Sequence, residues 1–324
     1  MIGMNAFKNI LYVAESSVAQ QASILRAVSL AENNQADLTV IDVVPGVAAG
    51  MIAASGGHAS AELQAVMVGE RRKQLEALIE PYRTRLDIRL DVLVGRTFLQ
   101  AIRMVLRNGH DLLIKPAENP GFMQRLFGSI DMQLLRNCPC PLWLTRENEK
   151  EKYENILAAV DFDPDLPDAV EQDLNQQILG VASALAFSDF AALHVLHVWD
   201  APGEGMIKIW ANDPKAASTD YVSGVLAGHE AAFNQLRRQL GDRVGKDGNE
   251  YLAPEFHLQR GAAATAIPGM ARELAADLVI MGTVARTGIA GLLIGNTAEA
   301  VLEQLQCSVL AIKPSGFVSP VGPA

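Results

Sequence analysis

Asn155-Ile156-Leu157-Ala158-Ala159-Val160-Asp161 decides the fold, because the chain holds it twice: its echo is Asn9-Ile10-Leu11-Tyr12-Val13-Ala14-Glu15. Each is a short apolar run that opens on Asn and closes on an acid. A run that is apolar at consecutive positions and bounded by polar residues reads as a parallel strand buried on both faces. Three more pairs lie outward from it. Ala36-Asp37-Leu38 through Val44 matches Ser188-Asp189-Phe190 through Trp199. Asp111-Leu112-Leu113-Ile114 matches Asp277-Leu278-Val279-Ile280, and Cys140-Pro141-Leu142-Trp143-Leu144 matches Cys307-Ser308-Val309-Leu310-Ala311-Ile312. The offsets are 146, 152, 166 and 167. They grow along the chain, so the second copy carries insertions, which we assign to its loops.

Helical stretches separate the strands. Val18 to Asn33 sets Ile24, Leu25, Val28 and Leu30 against polar positions. Glu62 to Tyr82 carries Leu63, Val66, Leu75, Leu78 and Ile79, with Glu70-Arg71-Arg72-Lys73 as a solvated face. Tyr221 to Leu240 is the equivalent in the second copy. Strands alternating with helices of this length make βαβ units and a parallel sheet covered on both faces. The fold class is α/β, with two tandem doubly wound domains. Residues 1–148 form the first and 149–314 the second, with a flexible tail at 315–324. Pro45 to Ser60 and Ala201 to Thr219 read as long irregular loops.

The length, 324 residues, suits two domains, and 49% apolar with 20% charged residues is ordinary globular usage. No run reaches the roughly 18 uncharged apolar residues of a membrane span, and no secretory signal opens the chain. Three cysteines exclude a disulfide scaffold and suit a cytoplasmic protein. A formal charge of −10 disfavours nucleic-acid and anionic-membrane partners. That charge is uneven. Residues 1–150 carry 16 Lys and Arg against 15 Asp and Glu, and residues 151–324 carry 11 against 22.

In open parallel sheets, ligands sit beyond the carboxyl ends of the strands, where the strand order reverses. Three segments of the second half meet there: Asp161, Val198, and the glycine-rich stretch Gly282-Thr283-Val284-Ala285-Arg286-Thr287-Gly288 through Gly295-Asn296-Thr297-Ala298-Glu299. Glycines let backbone N–H groups approach a phosphate, and a helix N-terminus adds a favourable dipole. The stretch equally suits a tight strand-to-helix connection packed by its glycines. It is not a P-loop, since no Gly-Lys-Ser/Thr follows, and a dinucleotide fingerprint would follow the first strand instead. His194 and His197 are three apart in one strand and so face opposite ways. His58, His110, His229 and His257 show no ligand spacing, so no metal site is expected. Cys138-Pro139-Cys140 is not a Cys-x-x-Cys pair. No catalytic constellation is evident, and the chain reads as a non-enzyme.

These residues resemble the universal stress protein family. The strand-end Asp161, the stretch from Met281 to Glu299 and the closing strand carry the likeness, and the two-copy layout is similar to the family's tandem members. The resemblance implies a five-stranded parallel sheet of order 3-2-1-4-5 in each half. It also implies an intramolecular pseudo-dimer joined through the final strands, open to further homodimerisation. An exposed apolar edge such as Leu142-Trp143-Leu144 invites that pairing. Nucleotide-binding members carry Gly-x2-Gly-x9-Gly-Ser/Thr. Gly282 and Gly295 fit this pattern, whereas Ala285 and Asn296 depart from it. Asp161, Val198, Gly282, Arg286, Gly295, Asn296 and Thr297 are thus the candidate contacts for ATP or AMP. In the first half Pro116 and Glu15 replace the glycine and the aspartate, leaving Gly128-Ser129. The resemblance implies a cytoplasmic protein of survival under stress such as DNA damage or starvation, acting through unidentified protein partners or a small ligand. The alternatives are a nucleotide switch or weak ATPase in the second half, and an apolar-ligand carrier covered by Val47 to Ser60.

Overall fold

A computed structural model describes residues 6–47, 58–118, 130–283 and 294–323. The first half runs β1 (Asn9–Val13), α1 (Gln21–Asn34), β2 (Asp37–Val44), α2 (His58–Ile79), β3 (Ile88–Val94), α3 (Thr97–Asn108), β4 (Leu112–Pro116), α4 (Ile130–Asn137) and β5 (Leu142–Thr145). The second runs β6 (Asn155–Val160), α5 (Ala169–Asp189), β7 (Ala192–Trp199), α6 (Glu204–Trp210), α7 (Pro214–Leu252), β8 (Glu255–Arg260), α8 (Ala263–Glu273), β9 (Leu278–Gly282), α9 (Asn296–Leu302) and β10 (Ser308–Ile312). The ten strands form one sheet of order β3-β2-β1-β4-β5-β10-β9-β6-β7-β8. Each half is therefore 3-2-1-4-5, as expected.

The halves meet where β5 and β10 pair antiparallel, with Leu144 opposite Val309, Trp143 opposite Leu310 and Leu142 opposite Ala311. Two apolar edges thus cover each other. The cores run through the seam. One face joins Tyr12 and Trp143 to Tyr153 and Ile156, and the other joins Leu11 and Leu144 to Leu157 and Val309. A buried ion pair also ties the halves: Arg26 of α1 lies 2.6 Å from Asp189 at the end of α5. The Arg26 guanidinium stacks 4.1 Å over the Tyr153 ring and donates to the Glu151 carbonyl.

The repeated acids Asp111 and Asp277 have a structural task. Each carboxylate accepts backbone N–H groups at the start of the neighbouring first strand: Lys8 and Asn9 for Asp111, Glu154 and Asn155 for Asp277. These donors lie at the sheet's amino-terminal edge, so neither acid belongs to the crevice at the opposite edge.

Three sequence expectations need correction. First, α5 runs through Asp189, where a strand was expected. Its left-handed cap Phe190 (φ 62°) corresponds to Gln35 (φ 52°) after α1. Asp37 therefore matches Ala192, and the alignment by apolar runs was three residues out. Second, 201–219 is mostly helix. Asp213 caps α7 by accepting the Ala216 N–H, Pro214 fills its first turn, and Glu204 of α6 holds Lys208, Arg260 and Ser218. Third, the extra length of the second copy lies in helices rather than in loops: α7 has 39 residues against 22 in α2. Gly245, at φ 74°, supplies a break inside α7 that an L side chain would resist. Beyond β10, the segment through Pro323 returns along the first half, where the Pro323 carbonyl accepts from Arg107 of α3.

Candidate functional site

Strand register sets the level of each candidate residue. Ala159 pairs with Met281 and Val160 with His197, so Asp161, Val198 and Thr283 stand at one level on the carboxyl edge of β6, β7 and β9. Buried Asn175 of α5 clamps the turn after β6. Its Oδ1 accepts the Asp161 N–H at 3.1 Å, and its Nδ2 donates to the Asp161 carbonyl at 2.7 Å. The Asp161 side chain is exposed. Val198 packs beside the core on the face shared with Leu196.

The end of β9 connects to the next helix through backbone bonds. Thr283 N–H donates to the Ile312 carbonyl and Gly295 N–H to the Thr283 carbonyl, at 3.2 and 3.0 Å. Gly295 caps α9, with Asn296 and Thr297 exposed in its first turn. Gly295 sits at φ −62°, a value open to any residue. A Cβ on Gly282 would lie 2.7 Å from Leu174 Cδ2, so this glycine makes room for a side chain of α5. That contact belongs to the packing reading of the glycine-rich stretch. Arg286, Ala285 and the rest of 284–293 lie outside the described residues, as do Gly128-Ser129 and most of Val47 to Ser60.

The first half meets the same edge differently. By register, Lys115 corresponds to Met281 and Glu15 to Asp161. Lys115 is fully buried, with its Nζ 3.1 Å from Glu15 and 2.9 Å from Asp131. Burial alone would raise the Glu15 carboxyl, but the Lys115 ammonium and the hydrogen bonds donated by the Ser17 N–H and hydroxyl together outweigh it and hold the group below its ordinary value. Burial opposes the Lys115 charge too, and the attraction of Asp131 and Glu15 raises its pKa nonetheless. A charge triad thus fills the place where the second half has Met281 and an exposed acid. The sequence reading singled out Pro116 and Glu15 there and passed over Lys115.

A second difference lies one step away. In the first half Asp42 of β2 pairs with Arg71 of α2 at 2.8 Å. In the second, His197 takes the place of Asp42, stacks on Phe162 at 3.7 Å and reaches His229 Nδ1 of α7 at 2.9 Å. Beside Phe162 a cleft of about 920 Å³ opens between α5 and α7. Asp163, Asp168, Glu171, Asp173 and Asp242 line it against Arg243, a balance that attracts cations more than phosphate.

The histidines also converge in a way that sequence spacing hides. His194 of β7 lies opposite Glu255 of β8, and His257 follows two residues on, on the same face. Among the described residues these three form a group able to hold a metal ion, because strand register joins residues some 60 positions apart.

Known proteins match this architecture along its whole length. The model of the universal stress protein family fits residues 6–146 and again 152–313. The chain belongs to the universal stress protein family. It is 28% identical over 316 residues to a universal stress protein E homolog of Haemophilus influenzae, covering 95% of this chain and 98% of that one. Over 230 residues it is 30% identical to universal stress protein E of Escherichia coli K12, covering 70% and 68%. A crystal structure of a functionally unknown protein from Pseudomonas aeruginosa PAO1 matches with TM-score 0.67 at 25% identity, covering 98% and 96%. Each half thus matches the family model by itself, and the two-copy layout is shared with the relatives that the chain matches end to end. Among the described residues no helix is long and apolar enough to cross a membrane.

Proposed function

We propose that this is a non-enzymatic cytoplasmic stress-response protein whose second domain is its ligand-binding half. The ligand is an adenine nucleotide, ATP or AMP, at the carboxyl edge between Asp161, Val198, Gly282, Gly295, Asn296 and Thr297. One observation supports this reading: at the strand-end level the first half holds the charge-compensated Lys115–Glu15–Asp131 triad, whereas the equivalent level of the second holds Met281 and an exposed Asp161. The family membership and the names of the relatives support the stress role. Partner proteins have exposed apolar groups to meet on α6, where Met206, Ile209 and Trp210 are each more than two-thirds exposed.

Catalysis is not expected. Phosphoryl transfer needs charge neutralisation and a positioned nucleophile, and binding alone gives no acceleration. The test is phosphate release from ATP with Mg²⁺, beside ATP affinity by calorimetry, for wild type and Asp161→Ala. The reading expects binding that Asp161→Ala weakens, with turnover far below a typical enzyme value of about 10 s⁻¹. Rapid turnover lost in the variant would make the protein an ATPase. Affinity indifferent to Asp161 would move the ligand elsewhere.

A further inference from the structure

We propose that His194, Glu255 and His257 form a site for one Zn²⁺-class ion, clamping the edge strand β8 to β7. Their donor atoms already stand at coordinating separations. His194 Nδ1 lies 3.1 Å from His257 Nε2 and 3.5 Å from Glu255 Oε2, and His257 Nε2 lies 4.0 Å from the same oxygen. Bonds of about 2.0–2.1 Å in a tetrahedron hold ligand atoms about 3.3–3.4 Å apart, so side-chain adjustment alone closes the geometry. Two imidazoles and a carboxylate are a donor set that zinc uses with a fourth position left to water. Glu255 is 66% exposed, which gives that water access.

The duplication supplies an internal comparison. The register-equivalent residues of the first half are Thr39, Arg89 and Asp91, and Arg89 is paired with Asp37. That set brings a guanidinium where the second half brings a carboxylate, so one site per chain is expected. It lies toward the start of β7, with His194 four residues before Val198. At about 3.3 Å per residue this is some 13 Å from the crevice edge, and the site stands independently of nucleotide binding.

The test uses the full chain, stripped with a chelator and titrated with Zn²⁺ against a competing chromophoric chelator, then with Co²⁺ for its visible spectrum. One equivalent per chain should bind, with cobalt d–d bands and no thiolate charge-transfer band. Glu255→Ala, at an exposed position that spares the core, should weaken Zn²⁺ by about tenfold or more, and His257→Ala should abolish the stoichiometric site. Absence of Zn²⁺ binding, a thiolate band, or binding unchanged in Glu255→Ala and His257→Ala would overturn the proposal and leave a histidine–histidine hydrogen bond.

Discussion

Lys115 shows how one buried residue can separate two copies of a fold. Its ammonium is compensated by Glu15 and Asp131, and a buried pair is costly to break from one side. Lys115→Met should lower stability by about 3–5 kcal/mol, measured by urea unfolding at neutral pH. Glu15 is held below its ordinary pKa, so its contribution is present above the ordinary carboxylate range and fades as pH falls through the folded value. The deficit of Lys115→Met should therefore shrink in acid. A deficit that stayed constant with pH would mean the triad is not the source. Lys313 behaves in the opposite sense. Burial pushes its pKa down to about 8, although its Nζ donates to the Leu135 carbonyl. Its charge costs stability below about pH 8, and that cost disappears as pH rises toward the ordinary lysine value. Relative to Lys313→Met, the wild type should gain up to roughly 3 kcal/mol between those limits. Thermal unfolding of both proteins across that window checks the sign.

At the scale of elements, the end of β9 decides how the glycine-rich stretch should be read. Gly282→Val drives a side chain into Leu174 of α5, and overpacking of this kind costs about 1–3 kcal/mol. Any loss of nucleotide affinity in that variant then has two sources, which Gly282→Val combined with Leu174→Ala separates. Recovery of both stability and affinity would assign Gly282 to packing. Recovered stability with affinity still lost would assign it to the ligand. The strands themselves were legible because apolar runs such as Ile156 to Val160 are buried on both faces. The helices were less so. Asp189 read as the start of a strand, yet it closes α5, because a left-handed cap at Phe190 leaves no composition signal. The loop expected at 201–219 hid the Asp213–Pro214 helix start. The His194–Glu255–His257 group was illegible for another reason: it depends on which residues of β7 and β8 lie abreast, and spacing along the chain does not encode register.

At the scale of the molecule, the seam makes one body of two copies. Arg26 and Asp189 come from different halves, and Asp189 also accepts the Tyr153 N–H. Arg26→Met would leave a buried carboxylate with too few partners and should cost about 3–5 kcal/mol. Arg26→Met with Asp189→Asn should recover most of that loss in chemical unfolding, and additive losses would deny the pair its coupling. The larger asymmetry lies at the strand ends: Lys115, Glu15 and Asp131 compensate one another in the first half, whereas the second half has an exposed acid, Asp161, which the proposed function makes a ligand contact. Native mass spectrometry of the full chain with ATP tests this most directly. One ATP per chain is expected, lost in Asp161→Ala and retained in a first-half variant such as Glu15→Gln. Two ATP per chain, or one that survives Asp161→Ala and disappears in Glu15→Gln, would contradict it.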